Sequence, residues 1–470
     1  MNSTKLIKKI DMKKHILNKN YWKTLTFLGL IVFAIQFTSC TNNDASGGII
    51  TVNKVFLEDV NSSVSDREVS FARLGQTIRI EGSGFSNLKK VYINGFSTYF
   101  NIVYISDTSF LISISKDTPT LEANADVRNT IRLVNDNQEI TFPFEIRSSA
   151  PTITDISNTL PKAGEKITVY GTGLTEVSKV TFPGDIVTTT GIISDKDGKF
   201  FTVIVPNGVS DTGGSLLIKC SNGGAYSPAY FNFKKGVFFN FNDKGAQGYW
   251  GTTTSMIIPS DLESASTGLV NTSQGIYVPH RPARIASFDP AKNRCTEVWT
   301  SGSSTEDNWR ALLTPYIPAS TPLDQVALQF DIYVPNIWKD TGFLKICLIN
   351  NFNGGEWTGG CYNYVPWIVD GKVKEFQTTG WTTVTIPLSK IYAYSDATKN
   401  YTFESILAYR EAATYKNFGV YFENSDIKLK DITGVDSTTE FASKATSINV
   451  ATDNWRIVSL KTPVYNDFVN

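Results

Sequence analysis

The chain has 470 residues, and its 44 basic and 44 acidic side chains give a formal net charge of zero, which supplies no electrostatic reason for a nucleic-acid or acidic-polymer partner. Charged residues make up 19% and aromatics 12%, a balance that suits exported β-sheet proteins with neutral ligands. The length exceeds one hydrophobic core and implies roughly three domains. The two histidines, His15 and His280, are too few for a multi-histidine metal site, so no metal and no cofactor is expected.

Basic residues (Lys5, Lys8, Lys9, Lys13, Lys14, Lys23) precede an apolar run from Leu25 to Ile35, the layout of a secretory signal peptide. Thr38-Ser39-Cys40 closes that run and resembles the bacterial lipobox, in which the cysteine is lipidated and becomes the new N-terminus. Residues 1–40 are therefore read as a lipoprotein signal peptide with Cys40 as the lipidated residue. Two or three acyl chains, at ~0.8 kcal/mol per buried methylene, hold such a protein on a membrane. Residues 41–49 follow as a polar, flexible tether.

An internal repeat comes next. Leu74-Gly75-Gln76-Thr77-Ile78-Arg79-Ile80-Glu81-Gly82-Ser83-Gly84-Phe85 aligns without gaps to Ala163-Gly164-Glu165-Lys166-Ile167-Thr168-Val169-Tyr170-Gly171-Thr172-Gly173-Leu174, and Lys90–Gly95 to Lys179–Gly184. A period of 89 residues is too long for a solenoid unit and fits one small sandwich per copy. The Gly-x-Gly lacks the third glycine and the helix of a dinucleotide loop, so a phosphate site is not expected. A strand ending in G-x-G-[FL] followed by a K-V-x-[IF]-x-G strand resembles the IPT/TIG immunoglobulin-like domain. The resemblance implies two such domains, 50–149 and 150–234, acting as spacers; the alternative that the repeats themselves bind ligand is disfavoured because they hold no tryptophan.

From Lys235 the composition changes, and eight of the nine tryptophans lie beyond it. Val326, Leu328, Phe330, Ile332 and Val334 alternate on one face of a strand. Val384, Ile386 and Leu388 do so in a second, and Phe418, Val420 and Phe422 in a third. Ile448 and Val450 open a late strand that runs into Asp453-Asn454-Trp455-Arg456-Ile457-Val458. Helical periodicity is confined to Phe403–Ala412. Residues 235–470 read as one antiparallel jelly roll, so the fold class is all-β: two immunoglobulin-like sandwiches followed by a larger β-sandwich.

The stretch Asn350–Trp367 is rich in glycine and asparagine yet holds Phe352, Trp357, Tyr362, Tyr364 and Trp367, and Trp338 follows a turn signal at Pro335-Asn336. Aromatic rings at such positions suit stacking on pyranose rings, each platform worth ~1–3 kcal/mol by analogy with stacked bases. Trp338, Tyr364, Trp367 and Trp357 are the candidate carbohydrate-binding residues. Trp381 and Trp455, on strands, are expected to be structural, with Trp250 and Trp299 left open. His280 is expected in a loop. No C-x-x-C pair occurs. Cys347 and Cys361 flank the aromatic loop, and an oxidising compartment permits them to pair without requiring it. Cys220 is expected to stay a buried thiol.

Taken together, the lipobox, the tandem IPT/TIG domains and a jelly roll carrying Val334-Pro335-Asn336-Ile337-Trp338, Tyr364-Val365-Pro366-Trp367 and Asp453–Val458 resemble the B-type surface glycan-binding proteins of Bacteroidetes polysaccharide utilisation loci. The resemblance implies an outer-membrane lipoprotein facing the cell exterior. It also implies capture of a polysaccharide, often a β-glucan such as xyloglucan, beside a SusC/SusD-like transporter, and it places Trp338, Tyr364 and Trp367 in the binding platform. Two other readings compete. A glycoside hydrolase on the same sandwich would need two carboxylates about 5–10 Å apart, for which Glu297, Glu306, Asp307 and Glu356 are candidates. An adhesion or structural protein would simply pack its aromatics. Binding without catalysis is the preferred expectation.

Overall fold

The computed structural model describes residues 48–248, 255–264, 275–281, 294–350 and 359–469. Cys40, Trp250, Glu356 and Trp357 lie outside the described residues. The chain divides into two compact units, one ending at Ile146 and the other spanning Arg147–Asn470. Among the described residues no helix is long and apolar enough to cross a membrane.

The two repeats fold alike. In the first, Thr51–Glu58, Thr77–Ser83 and Ser109–Ser113 form one sheet, and Phe96–Thr98, Lys90–Ile93, Thr130–Val134 and Glu139–Pro143 follow in order in the other. In the second, Thr152–Ile156, Lys166–Thr172 and Phe200–Ile204 match the first set, and Ile186–Thr188, Lys179–Phe182, Leu217–Cys220 and Gly223–Tyr226 the second. Ile78, Ile80, Phe85, Val91 and Ile93 are buried in one core, and their counterparts Ile167, Val169, Leu174, Val180 and Phe182 in the other.

The repeated glycines have a steric cause. A Cβ on Gly82 would lie 1.9 Å from the carbonyl oxygen of Thr51, and one on Gly171 would lie 1.9 Å from that of Thr152. The neighbouring strand bulges at Val52/Lys54 in one copy and at Ile153/Asp155 in the other, which accompanies this close approach. Two residues later Gly84 and Gly173 have φ of 76° and 66°, a left-handed conformation that favours glycine.

The C-terminal domain packs two antiparallel sheets. One runs Glu263–Ser264, Ile276–His280, Val450–Ser459, Val326–Tyr333, Thr382–Pro387, with Val237–Phe239 also paired to the 450–459 strand. The other runs Gln247–Gly248, Arg294–Thr300, Gly419–Glu423, Phe343–Cys347, Cys361–Tyr364. Leu328, Phe330 and Ile332 meet Leu344, Ile346, Val420 and Phe422 in one buried cluster. Trp455 stacks on Phe330 there with ring centroids 4.3 Å apart and planes 14° apart. The Phe403–Ala412 helix is present as the periodicity predicts.

The second repeat is fastened to this domain. Arg456 and Asp331, both fully buried, are joined by Nη2 to Oδ1 at 2.8 Å. The same Nη2 donates to Thr159 Oγ1 at 2.9 Å and to Thr383 Oγ1 at 3.0 Å, and Nε donates to Gln329 Oε1 at 3.1 Å. Thr159 belongs to the second repeat, and its backbone N–H donates to Thr383 Oγ1 at 2.9 Å. The chain end returns as well: Arg147 pairs with Asp467 at 2.9 Å, and the Tyr465 ring lies against Gly224, where any Cβ would overlap it. Buried hydrogen bonds of this kind fix a geometry, because each broken partner leaves a desolvated polar group.

Candidate functional site

The structure corrects the exposure expected of the platform residues. Trp338 and Trp367 are fully buried. The cause lies in the Asp340–Gly342 turn, where Asp340 and Gly342 have φ of 53° and 63°. That turn presents two carbonyls inward: Trp338 Nε1 donates to Thr341 O at 2.8 Å, and Trp367 Nε1 donates to Gly342 O at 2.9 Å. With their polar edges satisfied inside, both indoles gain more from the core than from solvent. Tyr364 is partly buried beside them, edge-on to Phe330 at 5.6 Å, and burial pushes its hydroxyl pKa up. The three residues do come together, with Trp338 and Tyr364 centroids 6.5 Å apart, but as the end of the core.

Trp299 is also buried. It lies on the outer face of the five-stranded sheet with its ring across Gly419, where a Cβ would meet it at 2.0 Å. Its Nε1 donates to Glu297 Oε2 at 3.2 Å. Of the described candidate acids, Glu297 accepts from Trp299, Glu306 accepts from the Ala246 N–H, and Asp307 is buried against Arg410. His280 sits on a strand, which corrects the loop expectation. It is fully buried, with Nδ1 2.7 Å from Thr296 Oγ1. Burial pushes its pKa down to about 3, so it stays neutral. Cys220 is half-buried, where a buried thiol was expected.

An open aromatic face appears where the alternation predicted only structure. Trp381 alone among the described tryptophans is partly exposed. In the 326–333 strand, Gln329, Asp331 and Tyr333 point away from the core that Leu328, Phe330 and Ile332 fill. Register pairs Ile332 with Thr382, so Tyr333 and Trp381 are the next neighbours outward, with centroids 6.3 Å apart. Tyr277 supports Trp381 edge-on at 5.6 Å. On the other side Tyr333 faces Ala451, whose small side chain leaves room for the rings. Two polar atoms on this face have no protein partner: Trp381 Nε1 and Asp453 Oδ2. Burial holds the Asp453 carboxyl pKa well above its usual range. An unpaired buried donor costs about 1–3 kcal/mol. Sequence reading missed this face because an indole flanking a strand looks the same whichever sheet face it joins. The pairing of Tyr333 with Trp381 was the available signal.

Residues 231–459 match the family model described as the surface glycan-binding protein B xyloglucan binding domain. An IPT/TIG domain-containing protein of Bacteroides ovatus is 22% identical, over 87% of this chain and 99% of that protein. The crystal structure of the surface glycan-binding protein PbSGBP-B from Prevotella bryantii superposes with a TM-score of 0.58 at 18% identity, covering 88% of this chain and 99% of that one. An SGBP-B from a complex xyloglucan utilization locus in Bacteroides uniformis gives a TM-score of 0.44 at 15% identity, covering 87% and 99%. The chain resembles the B-type surface glycan-binding proteins of Bacteroidetes, and its C-terminal half matches the family's xyloglucan-binding domain.

Proposed function

We propose that the protein captures a neutral β-glucan such as xyloglucan at the cell surface, without cleaving it, through the Tyr333–Trp381 face. The observation that carries the placement is that Trp381 is the partly exposed indole among the described tryptophans and stands beside the Tyr333 ring. Its ring and that of Tyr333 offer faces to pyranose C–H groups. Calorimetric titration with soluble xyloglucan tests this. Trp381→Ala removes a stacking face worth ~1–3 kcal/mol, about five- to more than a hundredfold in affinity. The polymer recovered afterwards keeps its chain length. Unchanged affinity in a folded Trp381→Ala variant moves the site elsewhere, and released oligosaccharides refute the non-catalytic reading.

The same reading places the protein on the outer membrane, anchored by lipid at Cys40 and facing outward beside a SusC/SusD-like transporter. Support comes from the lysine-rich start, the apolar run and Thr38-Ser39 before Cys40. Cys40→Ala is expected to move the protein from the membrane fraction to the soluble one and to abolish incorporation of labelled fatty acid. Persistent labelling in that variant would place the lipid on another residue.

A further inference from the structure

Two cysteines stand directly across from one another in the five-stranded sheet. Cys347 ends one strand and Cys361 begins the next, and the antiparallel register pairs them. The type of pair follows from the next rung. Leu348 N–H donates to Gly360 O at 2.9 Å, so 348/360 is a hydrogen-bonded pair and 347/361 is a non-hydrogen-bonded one. In such pairs the Cα atoms are about 4.5 Å apart and the side chains lean closest together. That separation falls within the roughly 4.4–6.8 Å that a disulfide spans. Both residues are buried, at 0% and 6% exposure, and share one apolar cluster with Trp299 and Tyr421.

We propose that Cys347 and Cys361 are the site of an oxidative modification, a cross-strand disulfide formed once the chain is exported. The inference rests on the exported reading, since a reducing compartment would keep both as the thiols seen in the structure. The oxidant is a protein disulfide of the export compartment. One cysteine thiolate attacks it to give a mixed disulfide and a thiol. The second thiolate then displaces the other oxidant sulfur. Two S–H bonds are lost and one S–S bond is gained, and the two electrons and two protons leave on the oxidant as a dithiol. The bond ties both ends of the 348–360 connection to the sheet.

Peptide mapping decides it. The mature chain, exported to a bacterial periplasm and purified without reductant, is denatured, alkylated and digested. Cys220 and Cys295 are expected as alkylated peptides, while Cys347 and Cys361 appear as one linked species that separates on reduction. A closed loop of about 15 residues predicts that adding reductant lowers the melting temperature by roughly 5–10 °C. A Cys347→Ser/Cys361→Ser variant should already melt low and ignore reductant. Full alkylation of Cys347 and Cys361 without reduction overturns the proposal, as does linkage of either to Cys220 or Cys295. Cytoplasmic protein alkylated at all four positions, beside linked periplasmic protein, confirms the dependence on compartment.

Discussion

Arg456→Ala is expected to destabilise residues 147–470 by about 3–5 kcal/mol, the cost of removing one partner from a buried ion pair. The guanidinium holds Asp331 at 2.8 Å and also reaches Thr159, Thr383 and Gln329, with Arg456 and Asp331 themselves at 0% exposure. Its loss strands the carboxylate and unpins Thr159, the second repeat's contribution. Arg456→Lys should recover little, because one ammonium cannot reproduce the planar fork that meets Asp331, Thr159, Thr383, Gln329 and the Asn454 carbonyl. Chemical denaturation of the mature chain provides the measurement. The native protein should unfold the second repeat and the C-terminal domain in one transition, which the variant splits or shifts to lower denaturant. A variant that unfolds at the native midpoint would show the network to be energetically neutral. By the same logic, residues 235–470 expressed alone should be less stable than 147–470.

Trp338→Ala and Trp367→Ala are each expected to cost about 3–5 kcal/mol of stability, as large-to-small changes in a filled core do. Each also leaves a turn carbonyl unsatisfied, at Thr341 for the first and at Gly342 for the second. Thermal melts beside xyloglucan titration separate this role from ligand contact. These variants should melt early, and any that stays folded should bind nearly as the native protein does. A Trp338 or Trp367 variant with native stability and lost affinity would restore the ligand-facing assignment and remove the Tyr333–Trp381 face from its place.

The contrast between these residues shows what the sequence could carry. Strand alternation from Val326 to Val334 put Leu328, Phe330 and Ile332 in the core, where they lie buried. The Gly-x-Gly repeat gave the two sandwiches because its glycines are forced by the local approach of a neighbouring strand, a constraint stated in the chain itself. Trp338 and Trp367 were misjudged for the opposite reason. A tryptophan beside a turn is exposed unless the turn offers its indole a carbonyl on the inside, and the Asp340–Gly342 backbone does that through positive φ at both ends. Arg456 was visible only as part of a motif. Its meaning depends on Thr159, 297 residues earlier, and no local pattern conveys such a partner. The burial of Trp299 over Gly419 is equally a matter of which strand comes to lie beside which.

The ion pair between Arg147 and Asp467, with side chains 15% and 16% exposed, bears on how the chain meets mechanical pull. A chain pulled from its N-terminal side and from its C-terminal domain is stretched along its own backbone. Tension enters residues 147–470 at Arg147, where the tail is already clasped to the entry point. An immunoglobulin-like module in a simple string would peel open strand by strand from its ends. Within residues 147–470 two attachments join the N-terminal side to the C-terminal strands, the Arg147–Asp467 pair and the buried Arg456 network that reaches Thr159. Bonds arranged in parallel share a pull that bonds in series would each feel in full.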